Sequence, residues 1–203
     1  ETREMNDADL IARFLQGQVT PFNTLVWRWQ DRLFNFVLRY VGNREEARDL
    51  CQQIFIRAYR NLGNLRDPER FSTWLYQIAL NTCRDQQRRQ QRHPNLSLDH
   101  FEEEHGQPHP ALKGTASQPP PTDARTHEQD LRDLLSRALQ TIPEEQRVVV
   151  VMKEYQNLKF TEIAAVLETP INTVKSRLYY GLKGLRKIFD QWGISEENIG
   201  YEL

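Results

Sequence analysis

The chain has 203 residues, 27 of them Lys or Arg and 28 Asp or Glu, for a formal net charge of -1, and 38% of its residues are hydrophobic. That length suits one large domain or two small ones with separate cores. No apolar run approaches the ~18 residues of a membrane span, and the N-terminus lacks the apolar stretch of a secretory signal, so no membrane insertion is expected. Only two cysteines occur, Cys51 and Cys83. Both fall among apolar neighbours at helical phase, as core-filling residues do, and the expected compartment is the reducing cytoplasm.

A short first helix is predicted around Leu10, Ile11, Phe14 and Leu15. A long one follows, in which Phe22, Leu25, Val26, Trp29, Leu33, Phe36, Val37 and Tyr40 keep the i, i+3, i+4, i+7 rhythm between Pro21 and Gly42. Asn43, with Glu46 three residues on, has the form of a capping box opening a third helix whose stripe is Ala47, Leu50, Cys51, Ile54 and Ala58. The loop "GNLRDPER" leads to a fourth helix on Phe71, Trp74, Leu75, Ile78, Ala79 and Thr82, whose tail is the basic "RDQQRRQQR". No alternating strand pattern interrupts them, and residues 1–92 read as one helical domain.

Composition changes from His93 to Asp130. This stretch holds six of the ten prolines, all five histidines and seven acidic residues against Lys113 and Arg125. Its apolar residues are too sparse to repay ordering, so 93–130 is read as a linker whose acidic run is expected to shield basic surfaces of the free chain. The histidine spacing fits no zinc pattern, and no metal or other cofactor is expected.

In residues 131–203, Leu131, Leu134, Leu135, Ala138, Leu139 and Ile142 form an apolar helical face, and Pro143 restarts the chain. The four valines of "PEEQRVVVVMKEY" have strand propensity, but the helix-start chemistry of Pro-Glu-Glu favours a helix. Two more helical runs, Thr161 to Leu167 and Ile171 to Phe189, are separated by only three residues. The expected fold is therefore all-α, two small helical domains joined by a flexible linker.

Two helices joined by so short a turn, the second of them basic, describe a helix-turn-helix. "TPINTVKSRLYYGLKGLRK" carries five basic residues and no acid. Ile163, Ala164, Leu167, Val174 and Leu178 supply an apolar seam, with Thr169 as the expected N-cap and Pro170 as the first helical residue. Asn172, Thr173, Lys175, Ser176, Arg177, Tyr179 and Tyr180 lie outward, with donors suited to base edges and phosphates. A solvated surface helix is the alternative. In the first domain, Arg84, Arg88, Arg89 and Arg92 follow a helix containing Phe71, Trp74 and Tyr76, with Arg66 and Arg70 just before it. Cations beside aromatic rings suit single-stranded DNA, although Trp74 shares its stripe with core residues.

The order of segments resembles the extracytoplasmic-function sigma factors, compact members of the bacterial sigma-70 family. "DLCQQIFIRAYRNL", "FSTWLYQIALNTCRDQQRR" and "IPEEQRVVVVMKEYQNLKFTEIAAVLETPINTVKSRLYYGLKGLRK" carry the likeness. The resemblance implies sigma domain two in 1–92 and sigma domain four in 131–203. It implies a non-enzymatic transcription initiation factor with RNA polymerase core as partner, through the clamp of the largest subunit and the flap of the second largest. It also implies promoter DNA and an anti-sigma factor as partners. Asp49, Gln52, Gln53 and Phe55 would dock on polymerase. Arg66, Arg70, Phe71, Trp74, Asn81, Arg84, Arg88 and Arg89 would hold the melted minus-ten strand. The recognition helix, from Thr169 through Tyr180, would read the minus-thirty-five element as duplex. Gln53 stands where the family often has an acid, Lys159 where a Ser cap is frequent, and Glu168 where the turn is usually Gly. Two rivals stay open on the residues alone: a helix-turn-helix repressor or activator acting without polymerase, and a helical adaptor.

Overall fold

The structure, a computed structural model, describes residues 5–92 and 127–194. The expectations for the histidines at 93 to 109 and for the acidic run at 99 to 104 lie outside the described residues. Every regular element described is helical.

Helix α1 spans Asp7–Leu15, and the Asn6 side chain caps it by accepting from the Asp9 amide at 2.8 Å. Leu10 and Ile11 are buried, while Leu15 at its end is exposed. Helix α2 spans Thr20–Val41 and buries Phe22, Leu25, Trp29, Leu33, Phe36, Val37 and Tyr40, the stripe its periodicity predicts except for Val26, which is half-buried at the edge of that stripe. Gly42 ends it in the left-handed region at φ 79°, a conformation that costs a residue with a Cβ. The Asp7 carboxylate fastens α1 to α2 by accepting from the Arg28 guanidinium and from the Trp29 indole N–H.

Helix α3 spans Arg44–Asn61, capped by Asn43 accepting from the Glu46 amide at 3.0 Å. The Glu46 carboxylate accepts from Gln90 of the next long helix, so the expected capping box is half built. Two 3₁₀ turns, Leu62–Asn64 and Pro68–Arg70, lead into α4, Phe71–Arg92. Edge-to-face ring pairs fill the centre of this domain: Trp29 with Phe71 at 5.9 Å and Phe36 with Tyr76 at 5.2 Å. Such pairs add about 0.5–1.5 kcal/mol each beyond their buried area. Cys51 and Cys83 are free thiols in this core, and burial pushes both up to about 12, which keeps them protonated and inert.

The second domain begins with α5, His127–Thr141, four residues inside the stretch read as linker. Its first turn, "HEQD", is wholly polar and carries no apolar period by which to recognise it. Helix α6, Glu144–Val150, runs on through a π turn at Val151–Tyr155. All four valines lie in this helical stretch and are at most 2% exposed. Close packing explains why their strand propensity loses: a Cβ at Gly181 of the last helix would stand 2.8 Å from the Val150 Cγ2. Helix α7 spans Phe160–Leu167 and α8 spans Ile171–Gln191.

The two domains touch. Gln140 of α5 donates to the Arg39 carbonyl at 3.1 Å, near the C-terminal end of α2. Arg147, only 8% exposed, donates to the Tyr40 carbonyl at 3.1 Å and to the Gln140 side-chain oxygen. A cation there meets the negative end of the α2 dipole. Burial holds its guanidinium below the ordinary arginine range, and its Nε has no partner among the described residues. The Arg39 guanidinium sits 4.1 Å over the Tyr155 ring.

Candidate nucleic-acid interface

Helices α7 and α8 are joined by Glu168, Thr169 and Pro170. Lys159 has no side-chain acceptor to cap α7, and the Glu162 carboxylate takes over half of that task by accepting from the Lys159 amide at 2.6 Å. Glu168 ends α7 at φ 50°, ψ 43°, in the left-handed region where glycine is the unstrained choice. The turn therefore closes despite its sequence. Thr169 does not cap α8: its hydroxyl donates back to the Leu167 carbonyl at 2.9 Å. The N-cap is Pro170, so α8 begins one residue later than expected, at Ile171. Its first amides precede the first intrahelical bond and lie at the positive end of the helix dipole.

Beneath this turn the expected seam is present, with Ile163 and Val174 fully buried and Ala164, Leu167 and Leu178 half-buried. Val166 and Leu185 join it. Leu185 lies beyond the short window around the turn, whereas Val166 stands inside it, three residues after Ile163, at a spacing that the periodicity already allowed. The outer face carries exposed Asn172, Lys175, Ser176, Tyr179 and Tyr180, with Thr173 partly covered. The Ser176 hydroxyl is turned to the Asn172 carbonyl at 2.9 Å, and the Lys175 ammonium sits 5.8 Å over the Phe160 ring. Arg177 is engaged: its guanidinium donates to the Glu145 carboxylate of α6 at 2.8 Å. Lys183, Arg186 and Lys187 are exposed further along and extend the basic surface.

On α4, Gln77, Asn81, Arg84 and Arg88 follow one another at four, three and four residues and share a face. Asn81, Arg88 and Arg89 are exposed, as are Arg66 and Arg70 in the preceding loop. Arg84 donates to the Glu144 carboxylate of the other domain at 2.9 Å. Phe71 is placed differently from the expectation. It is 2% exposed, packed between Trp29 and Trp74, because the first residue of α4 turns into the core and leaves no ring face for a base. Trp74 is half-buried against Phe71.

Asp49, Gln52 and Gln53 of α3 are exposed and Phe55 is half-buried, the phase expected when Leu50, Cys51 and Ile54 face inward. The structure parts them into two groups. Gln52 and Phe55 line a groove of about 280 Å³ with Val26, Asp31, Phe34 and Arg48, whereas Asp49 and Gln53 face a second depression beside Glu46 and Gln90. Trp27, 77% exposed on α2, stands next to Val26 of the groove and escaped the sequence reading because it lies off the core stripe. Among the described residues, no group of three or more His, Cys, Asp or Glu could hold a metal ion, and no helix is long and apolar enough to cross a membrane.

Comparison with known proteins agrees with this arrangement. Residues 25–93 match the family Sigma-70 region 2, and residues 132–185 match Sigma-70, region 4. The RNA polymerase sigma-H factor of Pseudomonas aeruginosa is 32% identical over 187 residues, which cover 89% of this chain and 92% of that protein. The ECF RNA polymerase sigma-E factor of Escherichia coli K12 is 34% identical over 179 residues, 88% of this chain and 91% of that protein. Two solved structures share the fold. CnrH, in complex with the cytosolic domain of CnrY, has a TM-score of 0.66 at 22% identity, covering 91% of this chain and 97% of that one. RpoE, in complex with the anti-sigma factor NepR from Bartonella quintana, has a TM-score of 0.61 at 18% identity, covering 85% and 98%. With both family regions in order and two relatives matched over most of their length, the chain belongs to the sigma-70 family, as an extracytoplasmic-function sigma factor.

Proposed function

We propose that this alternative sigma factor binds core polymerase through the α2–α3 groove and directs it to promoters. On this reading α8 reads the minus-thirty-five element as duplex and α4 holds the minus-ten element as a melted strand. The observation that carries the reading is the α8 surface. Asn172, Lys175, Tyr179 and Tyr180 stand exposed on a helix with no acid in its first turn, over a seam that is buried beneath them. A helix built this way enters a major groove with its donors toward base edges and its cations toward phosphates.

The first domain supplies the second reader. Arg66, Arg70, Arg88 and Arg89 are exposed, and a cationic surface of this kind tracks a strand backbone. Extruding a base costs a few kcal/mol, which contacts to the exposed strand would offset. The polymerase is the platform: two modest contacts on one surface act at high effective concentration. No step of this function asks the chain for catalysis, and its place is the cytoplasm, where polymerase and promoter are. One of the two fold relatives, RpoE, is in complex with the anti-sigma factor NepR, and on this reading an anti-sigma factor is the antagonist of this chain as well.

The α2–α3 assignment is tested by gel filtration of the full chain with purified core polymerase. The wild type should co-elute, and Phe55→Ala together with Gln52→Ala should abolish co-elution at micromolar concentrations while leaving the circular dichroism spectrum unchanged. Co-elution of the double variant at wild-type yield would overturn the assignment.

A further inference from the structure

A cavity of about 700 Å³ lies where the C-terminal half of α2 and the start of α3 meet α5. No residue assigned above to DNA lines it, and it meets the α2–α3 groove only at Phe34, which lines both. Its volume is that of a site for a small organic molecule, ~300–1,000 Å³, and junctions between domains are where such sites form. Its apolar wall is built from half-buried Phe34 and Leu38 of α2, Leu135 of α5, and Tyr155 at the end of the π turn.

The charge of this lining is unlike that of the chain. Arg39, Arg44 and Arg132 face the cavity against one carboxylate among the described residues, Asp133, in a molecule whose formal net charge is -1. Neither Arg39 nor Arg44 has an ion-pair partner among the described residues. Each lies instead over a ring of the same cavity, Arg39 at 4.1 Å from the centre of the Tyr155 ring and Arg44 at 5.4 Å from that of Phe34. Arg39 is held further by donating to the Asn35 carbonyl at 3.1 Å. A guanidinium held over a ring face keeps N–H donors for an anion, and the arginine fork matches phosphate oxygens two at a time. The rings and leucines beside these cations suit a planar aromatic body. Asn35, Ser136 and Asp133 supply hydrogen-bonding groups for hydroxyls, as a carboxylate does for a ribose.

We infer that this cavity is a binding site for a nucleoside polyphosphate, with the phosphates on Arg39, Arg44 and Arg132 and the base against the wall of Phe34, Leu38 and Leu135. The two halves of the lining decide the class. A simple carboxylate brings one negative charge to three guanidinium groups, and inorganic phosphate leaves the apolar wall uncovered. A nucleotide with two or three phosphates satisfies both the cations and the rings. Binding of this kind does not depend on the assignments of α4 and α8 to DNA.

The test is isothermal titration calorimetry of the full chain at low salt with ATP and with GTP, using inorganic triphosphate and adenosine as partial probes. At least one nucleotide should bind with a Kd below about 100 µM, and both partial probes about 10-fold or more weaker. Arg44→Gln and Arg132→Gln, exposed and on different domains, should each weaken binding about 10-fold or more, the loss expected for one charge-assisted hydrogen bond. Arg60→Gln removes the same charge from an exposed position of α3 that does not line the cavity, and should leave the Kd within about 2-fold. Neither nucleotide reaching that affinity, a partial probe binding as tightly as the nucleotide, or cavity variants no weaker than Arg60→Gln would each overturn the inference. So would binding lost in Lys175→Gln while both cavity variants keep it, since the phosphates would then lie on α8.

Discussion

Replacing Arg177 with Ala tests the duplex-reading face, and the structure sets the size of the effect. In the free chain the guanidinium is ion-paired to Glu145, with the Arg side chain 25% and the Glu side chain 65% exposed. A pair this open is worth about 0.2–1 kcal/mol, which Arg177 gives up to reach DNA. A bidentate contact to a base edge returns about 1–3 kcal/mol. The difference puts the loss on Arg177→Ala near 1–2 kcal/mol, roughly 5- to 30-fold in Kd. Glu145→Gln should act in the opposite sense, releasing Arg177 and removing a carboxylate beside the DNA, with roughly a 2- to 5-fold gain. Fluorescence anisotropy on a promoter duplex, repeated over a salt series, measures both. If Arg177 contacts a phosphate, the log-log salt slope of the variant falls by about 0.9, and if it contacts a base edge the slope stays while preference at one position relaxes. Unchanged affinity and preference in Arg177→Ala, or weaker binding in Glu145→Gln, would refute the reasoning.

Glu168→Gly should raise the unfolding free energy by about 1 kcal/mol in urea titrations, because Glu168 sits at φ 50° and the left-handed penalty of ~1–2 kcal/mol outweighs the extra entropy of an unfolded glycine. Gly181→Ala should cost about 1–3 kcal/mol in the same assay, since its Cβ would stand 2.8 Å from Val150 and 3.3 Å from Gln146. The pH dependence of the contact between the domains follows from Glu144. Partial burial pulls its carboxyl upward, but the hydrogen bonds from Arg84 and Tyr40 and the nearby Arg84 and Arg147 charges more than offset this and hold it below the usual glutamate range. A depressed folded-state value means that the contribution is complete above the unfolded value and is lost as pH falls through the folded one. The stability difference between wild type and Glu144→Gln should therefore be constant from pH 6 to 8 and shrink in acid, below the ordinary range of ~4.3. A difference that grew in acid would contradict the assignment.

Much of this was legible in the sequence because helix periodicity is a local signal. The stripe from Phe22 to Tyr40, apart from half-buried Val26, and that from Ala47 to Ala58 are buried where the rhythm places them, and Val174 fills the seam of the helix-turn-helix. Thr169 was misread because two routes are open to its hydroxyl, and a backbone already turned by Glu168 gives it the Leu167 carbonyl. Phe71 looked like a platform because it lies among cations, yet a residue at a helix start faces whichever way the loop before it delivers the chain. The start of α5 was missed because its first turn has no apolar period. The domain seam was beyond reach for another reason. Arg84 and Glu144 are 60 residues apart, and nothing in the run of either segment says which cation meets which acid.

The most direct measurement of the central claim is run-off transcription with purified bacterial core polymerase on a library of randomised promoters, with and without this chain. The account predicts transcripts only when the chain is present, with selected sequences converging on two separated elements. Arg177→Ala should relax selection in the upstream element, and Arg88→Ala should reduce output through the downstream one. No chain-dependent transcript from core polymerase, together with tight and sequence-specific duplex binding by the chain alone, would contradict it and make the molecule a repressor or activator that works without polymerase.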